Sequence, residues 1–387
     1  MKKPTVLFPY VEAGMGHIVP MRAIARKFKE LYGDKVNCRE ISFYLASGLE
    51  ELIEFENRMK NSVVKQNRRR AFGFFMTANM NLFGAKISTA TSAHCLKWGA
   101  AKSAISHMNA LAPDLVVSTH WSTNYFAAKC AQKPLTVLYC PDTRLYPLFE
   151  YPCDLTLVPT RFGYEEALKK RKRQYNEHNL KCVPALIDEK AFAISRDKRT
   201  VRAALGLNPD KFTVVLAEGG YGIGKSGQIS RLIAKRNLPV TLVVACGKNE
   251  KLLAELSLLK CGGNCELRPI GYTDRLNEYI AAADLFCGKS GANTLSEATF
   301  AGVPQIITNY ASGVEKLNGK YYVDVIKTAL KIFNAKKAVD AIERFILNPK
   351  ELEPYRTAAE AQRQNYGAEQ SARLIYRLLC TRFSELR

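Results

Sequence analysis

Two stretches of the sequence share one layout. "TVLFPYVEAGMGHIVPMRAIA" (Thr5 to Ala25) runs from an apolar stretch through a glycine turn into apolar residues at helical spacing. "FTVVLAEGGYGIGKSGQI" (Phe212 to Ile229) does the same. An unbroken apolar strand is buried on both faces, and a helix that follows it covers one of them. That pairing belongs to a parallel sheet layered between helices. Further strands follow each opening: "VNCREISFY", "DLVVSTH", "LTVLYC" and "CDLTLVPT" in the first half, then "PVTLVVACGKN", "CELRPIGYTD", "ADLFCGKSG" and "VPQIITNY" in the second.

The fold class expected is therefore α/β, with two Rossmann-like parallel-sheet domains facing a central cleft. A length of 387 residues suits two domains. The N-terminal domain is expected over 1–184, with a helical insertion at about 47–110 where the strand–helix alternation stops. Residues 184–198 have no clear period and read as a linker. The C-terminal domain is expected over 199–355, and helices over 356–387. In open parallel sheets, ligands bind at the carboxyl ends of the strands.

No apolar run approaches the ~18 residues that span a bilayer. The opening "MKKPTVLFPYVEAG" mimics a signal peptide, but Glu12 interrupts a short apolar run and no cleavage site follows. It reads as a first buried strand, and a cytoplasmic protein is expected. The eleven cysteines lie mostly in apolar segments, as buried free thiols do. "CGGNC" has one residue too many for a C-x-x-C pair and no nearby histidine, so no zinc site is expected. Lys and Arg number 57 against 36 Asp and Glu, a net charge of +21. Such a field draws polyanions, either nucleic acid or an anionic membrane face.

The glycine turns carry the first candidate chemistry. Gly219, Gly220 and Gly222 lie between a strand and a helix, where backbone N–H groups can hold a phosphate. A purely structural turn is the alternative. The pattern is not G-x-G-x-x-G, and the next strand ends "VVACGKN" with no acid to grip a nicotinamide ribose, which disfavours a dinucleotide oxidoreductase. In "KSGANTLSEA", Ser290, Gly291 and Thr294 sit where a helix emerges from a strand end, a second anion site by the same dipole logic. Glu297, about a turn further, suits a ribose 2′,3′-diol; stabilising the helix dipole is its other reading. His17 follows the glycine turn of Gly14 and Gly16. Beside a helix N-terminus it should be neutral and able to accept a proton from a hydroxyl. Capping or packing is the alternative for His17. His120 and Asp142 stand at strand ends in "STHW" and "YCPD". The choice of base among these three stays open.

The stretch from Gly271 to Gly319 ("GYTDRLNEYI…ASGVEKLNG") resembles the donor-binding half of glycosyltransferase family 28. It is most similar to the diacylglycerol galactosyl- and glucosyltransferases, the monogalactosyldiacylglycerol synthase group. "GMGHIVPMRAIA" and "LAEGGYGIG" resemble that family's two glycine turns. The resemblance implies the GT-B fold and a UDP-sugar co-substrate, with no tightly bound cofactor and no obligatory metal. It makes Glu297 the ribose ligand, with Ser290, Gly291 and Thr294 at the diphosphate. Tyr272 and Thr273 would flank uracil, and Glu315 and Asn318 would contact the hexose. Val314 stands where the family usually has Gln, so the hexose, glucose or galactose, is left open. The implied reaction inverts by single displacement, with no acidic D-x-D pair needed at the donor site.

The insertion holds "KQNRRRAFGFF": Arg68, Arg69 and Arg70 beside Phe72, Phe74 and Phe75. Basic residues next to aromatic ones suit an anionic membrane surface, and a solvated charge run beside core aromatics is the alternative. A peripheral enzyme on the inner face of the cell membrane is expected, acting on a lipid acceptor such as diacylglycerol. Rival readings are an N-acetylglucosaminyltransferase on another lipid-linked acceptor, a UDP-sugar 2-epimerase, and a basic nucleic-acid-binding protein. The last lacks a recognisable RNA or DNA motif, so no nucleic-acid partner is expected.

Overall fold

The computed structural model describes residues 3–12 and 14–386. Side chains at 15, 66–68, 70, 72, 79, 83, 95 and 96 are outside that description, so the predicted Arg68, Arg70 and Phe72 lie outside the described residues. The chain divides into two compact units, Met1–Ile187 with Asn365–Arg387, and Asp188–Gln364.

The first unit is built on six parallel strands: β1 (Thr5–Tyr10), β2 (Asn37–Ser42), β3 (Leu115–Ser118), β4 (Leu135–Tyr139), β5 (Leu155–Val158) and β6 (Leu180–Cys182). Their order is β2-β1-β3-β4-β5-β6. Successive strand residues face opposite sides, and both sides of β1 are buried. Val6 and Phe8 pack with Ile24 and Phe28 of helix Met15–Tyr32 and with Ile375 and Leu379 of helix Glu369–Arg382. Tyr32 and Tyr376 stack across these two helices at 3.8 Å. Leu7 faces the other way, into a cluster with Phe43, Phe55 and Phe126.

That second face is covered in part by the insertion. It forms helices Glu50–Arg68, Arg70–Leu96 and Ala100–Leu111. The middle helix breaks at Gly84, whose φ of +70° is left-handed. The Ser88 hydroxyl donates to the Met80 carbonyl across the break at 2.9 Å. Several large apolar side chains here remain in solvent: Phe75 (63 % exposed), Leu82 (77 %), Ile87 (59 %) and Trp98 (86 %).

The second unit repeats the plan with β7 (Thr213–Ala217), β8 (Thr241–Gly247), β9 (Glu266–Gly271), β10 (Leu285–Lys289), β11 (Gln305–Asn309) and β12 (Ala329–Lys331), all parallel in the order β12-β11-β10-β7-β8-β9. Val214 and Leu216 pack with Ile229, Ile233 and Ile342 on one face, Val215 and Ala217 with Ile280, Leu295 and Ala298 on the other.

Two boundaries differ from the sequence reading. The first helix starts at Met15 rather than near Val19, so His17 lies inside its first turn. Apolar spacing reveals only the part of a helix that packs, and Gly14–His17 carries none. The final residues also split: helix Glu353–Gln362 belongs to the second unit and helix Glu369–Arg382 to the first. Among the described residues, no helix is long and apolar enough to cross a membrane.

Candidate active site

In a doubly wound sheet, the crevice for ligands opens where the strand order reverses, at the carboxyl ends of the two strands that flank the reversal. The flanking strands are β1 and β3 in the first unit and β7 and β10 in the second. Most of the predicted site residues fall at these two places.

At the first, Gly14 precedes helix Met15–Tyr32 with a φ of 152°, a conformation that favours glycine, and Gly16 is exposed with open space where a Cβ would stand. His17 Nδ1 lies 2.8 Å from the Thr119 carbonyl, and the Thr119 hydroxyl donates back to the His17 carbonyl at 2.7 Å. A carbonyl only accepts, so Nδ1 carries the proton and Nε2 keeps its lone pair. Burial lowers the His17 pKa to about 4, although the bond to Thr119 works the other way. The ring stacks on Phe149 at 6.0 Å and meets the edge of His120 at 4.8 Å.

His120 follows β3 and caps helix Trp121–Ala127, its side chain accepting from Ser122 N–H. Its pKa is lowered well below the usual value by burial, with His17 adding to the shift. The structure thus brings two of the three candidate bases together. Asp142 follows the adjacent strand β4 and is half-buried.

At the second place, the glycines divide by role. A Cβ on Gly219 would stand 2.7 Å from Lys289 Cε, while Gly220 has open space. Gly222 serves the backbone: its φ is +56°, and a Cβ would meet the Cys246 carbonyl at 2.0 Å. The turn wraps the buried carboxylate of Glu218, which accepts from Lys225 N–H at 3.1 Å and from the Thr308 hydroxyl at 2.9 Å. Burial raises the Glu218 pKa.

Across the reversal, Ser290 and Gly291 lead into helix Ala292–Phe300. The Ser290 hydroxyl is fully buried and finds no protein partner. Lys289, the last residue of β10, pairs with Glu315 at 2.6 Å. The other Glu315 oxygen accepts Ala311 N–H at 2.7 Å, and Glu315 N–H donates to the Ser312 cap. Asn318 is buried in the same helix, Gly313–Lys320. Thr294 is half-buried in the first turn of its helix.

Glu297 lies further along helix Ala292–Phe300 and is 9 % exposed. Burial, with the Asp188 carboxylate adding to it, pushes its pKa up to about 8. Glu297 lines a solvent-open recess with Ser195, Arg196, Asn277, Phe300 and Arg363. Tyr272 and Thr273 follow β9, with Tyr272 exposed and the Lys248 ammonium 5.6 Å above its ring.

Sequence reasoning missed three participants. Lys289 stood unremarked in "KSGANT", although a cation closing an apolar strand at the reversal was a usable signal. Glu218 ends the preceding apolar strand in the same way. Ser122, which holds His120, carried no signal. In the insertion, Arg69 and Phe75 are exposed and Phe74 is half-buried.

Two parallel-sheet units of this kind make up the Rossmann-like GT-B fold. The glycosyltransferase SnogD from Streptomyces nogalater matches with a TM-score of 0.58 at 15 % identity, over 98 % of this chain and 100 % of that one. A UDP-GlcNAc 2-epimerase from Neisseria meningitidis, bound to UDP-GlcNAc, matches with a TM-score of 0.59 at 13 % identity, over 98 % and 100 %. At these identities the likeness concerns the fold.

Residues 227–373 match the glycosyltransferase family 28 C-terminal domain. A processive diacylglycerol beta-glucosyltransferase of Bacillus licheniformis is 33 % identical over 135 residues, 34 % of this chain and 35 % of that protein. The rice protein named "Probable monogalactosyldiacylglycerol synthase 2, chloroplastic" (Oryza sativa subsp. japonica) is 30 % identical over 135 residues, 33 % and 28 % of the two chains. The matched region spans about a third of the length of these relatives.

Proposed function

We propose that this protein is an inverting hexosyltransferase. It moves glucose or galactose from a UDP-sugar to a hydroxyl of a membrane lipid, most plainly diacylglycerol. The single observation that carries this reading is the grouping at the β7/β10 reversal of the Gly219 turn, the Lys289 cation, the unpartnered Ser290 hydroxyl and the start of helix Ala292–Phe300. Backbone N–H groups and a cation suit a diphosphate. The names of the relatives support the hexose and the lipid acceptor.

The chemistry assigned to these residues is a single displacement. The acceptor hydroxyl oxygen forms a bond to the sugar C1 while its proton passes to His17 Nε2. The C1–O bond to UDP breaks, and its electron pair leaves on the diphosphate. Lys289 and the helix N-terminus take up that charge as it develops, an electrostatic contribution that is often the largest in catalysis. Glu297 accepts from the ribose diol. Glu315 and Asn318 are assigned to the hexose. Tyr272 and Thr273 are assigned to the base. The exposed Phe75, Leu82, Ile87 and Trp98, in a chain of charge +21, are assigned to the anionic inner face of the cell membrane.

The test is UDP release from UDP-glucose, UDP-galactose and UDP-N-acetylglucosamine, with and without anionic vesicles containing diacylglycerol. Release that requires one hexose donor and the diacylglycerol vesicles is expected. Release that needs no acceptor, or a UDP-N-acetylglucosamine product epimerised at C2, would overturn the transferase reading. UDP binding without release under any condition would discard diacylglycerol as the acceptor.

A further inference from the structure

His17 and His120 are both neutral at ordinary pH, so what separates them is which nitrogen carries the proton. The hydrogen bonds around each ring answer that separately. His17 Nδ1 faces the Thr119 carbonyl at 2.8 Å and must donate. His120 Nδ1 faces two groups of one residue: Ser122 N–H at 3.3 Å and Ser122 Oγ at 2.8 Å. A backbone N–H only donates, so Nδ1 of His120 is the acceptor, and its proton sits on Nε2.

The same logic runs outward. With Nδ1 accepting, the Ser122 hydroxyl spends its single proton on His120. The Tyr44 hydroxyl, 2.7 Å from Ser122 Oγ, must then donate to Ser122. The order is Tyr44 to Ser122 to His120, over residues that are all buried. Tyr44 is fully buried in the core against Phe43 and Phe55, and burial raises its pKa, so the phenol keeps its proton. Buried networks of this kind hold one arrangement because every alternative leaves a polar group unmatched.

We propose that Tyr44 and Ser122 are positioning residues that fix His120 as a hydrogen-bond donor through Nε2–H, complementary to His17, whose Nε2 is an acceptor. The two histidines at the β1/β3 reversal then offer one acceptor and one donor. An acceptor hydroxyl matches this, giving its proton to His17 while its oxygen accepts from His120. Between the two histidines the assignment of base falls to His17, because His120 Nδ1 is already engaged. This inference rests on the transferase reading for its consequence, but not for its geometry.

The experiment uses the full chain labelled with ¹⁵N-histidine. Long-range ¹H–¹⁵N spectra report the tautomer of each ring directly. The chain has five histidines, and His17→Gln and His120→Gln assign the two signals. The expected result is Nδ1–H for His17 and Nε2–H for His120. Ser122→Ala leaves only the backbone N–H on Nδ1, at 3.3 Å, so His120 should keep Nε2–H as its main tautomer but lose part of that preference. In the same variant kcat should fall about tenfold, the worth of one hydrogen bond, with KM for the UDP-sugar unchanged. Ser122→Thr should restore both readouts. Tyr44→Phe keeps the ring in the core and should give a smaller change of the same kind. An Nδ1–H tautomer for His120 in the unaltered protein would overturn the inference, as would a Ser122→Ala protein with His120 unchanged. If the tautomers hold while no donor and acceptor pair reacts, the arrangement stands and the transferase reading fails.

Discussion

The Lys289 ammonium lies 2.6 Å from the Glu315 carboxylate, with the two side chains 17 % and 16 % exposed. Each group therefore limits what the other can do for a ligand. Glu315 is tied at both oxygens, one to Lys289 and one to Ala311 N–H. The role proposed for it at a hexose would therefore share one side chain with its observed role as the anchor of a cation.

Separate substitutions divide these roles. Lys289→Met removes a charge-assisted hydrogen bond of about 1.5–3 kcal/mol, so the Kd for UDP should rise by roughly tenfold or more. Glu315→Gln keeps the shape and removes the negative charge paired with Lys289. UDP binding should hold or tighten, while discrimination between UDP-glucose and UDP-galactose falls. Calorimetry with UDP and with each UDP-sugar reads both effects. Unchanged UDP affinity in Lys289→Met would remove Lys289 from the donor site.

With Glu297 as the proposed ribose ligand, UDP binding should be a proton-linked event. With its pKa near 8 the carboxyl is protonated in the free protein at neutral pH, and a ribose diol favours the carboxylate. Binding should expel a proton, so affinity rises with pH toward 8 and levels off beyond it. Enthalpies measured in buffers of different ionisation heat would report that proton, and Glu297→Gln should abolish the dependence. The same shift acts on stability with a definite sign. The folded pKa lies above the ordinary glutamate value of 4.5, so this contribution is fully present below pH 4.5 and is lost as pH rises through 8. At its steepest the slope is about 1.4 kcal/mol per pH unit. Glu297→Gln should flatten that part of the unfolding curve.

His17 predicts the acid limb of the rate profile. Its pKa of about 4 should let kcat/KM persist well below pH 6.5 and decline only as pH falls through about 4. His17→Ala should lower turnover by about 10²–10⁴-fold, the range of general base catalysis, while UDP affinity stays within twofold because the residues proposed to bind the donor belong to the other unit. A rate limb at pH 6.5 in the unaltered enzyme would point to another base.

Trp98 offers a direct optical test of the membrane surface. The chain has two tryptophans: Trp98 is 86 % exposed and Trp121 is 6 % exposed. Anionic vesicles should shift Trp98 emission to the blue in a Trp121→Phe background, and added salt should reduce the effect. Trp98→Ser should weaken partitioning roughly tenfold, the worth of a partly buried aromatic group. An emission spectrum indifferent to vesicles would place the docking surface elsewhere.

What could be read from the sequence were features with a local signature. Continuous apolar runs such as "TVLFPY" and "DLFCG" marked β1 and β10, because strands buried on both faces show no alternation. Ser290, Gly291 and Glu297 were visible because they lie within one strand–turn–helix unit. The bond between Tyr44 and Ser122 joins residues 78 apart, and neither residue has a local pattern that predicts it. Lys289 is local, yet its meaning depends on Gly219 meeting it from a turn and Glu315 from helix Gly313–Lys320. Helices were expected over 356–387, but that helix Glu369–Arg382 packs on Phe8 and Phe28 was not legible.

That last helix also sets an order of events in synthesis. The chain leaves the first unit at Ile187 and returns to it at Asn365. Val6 and Phe8 of its sheet, with Phe28 of helix Met15–Tyr32, lack Ile375 and Leu379 until the whole second unit has been made. At ribosomal speeds that interval is roughly ten to forty seconds. Throughout it a nearly complete domain presents an unfinished apolar side to whatever chaperone or neighbouring nascent chain is at hand. A stop codon within helix Glu369–Arg382 would therefore damage the first unit, made long before it, and spare the second.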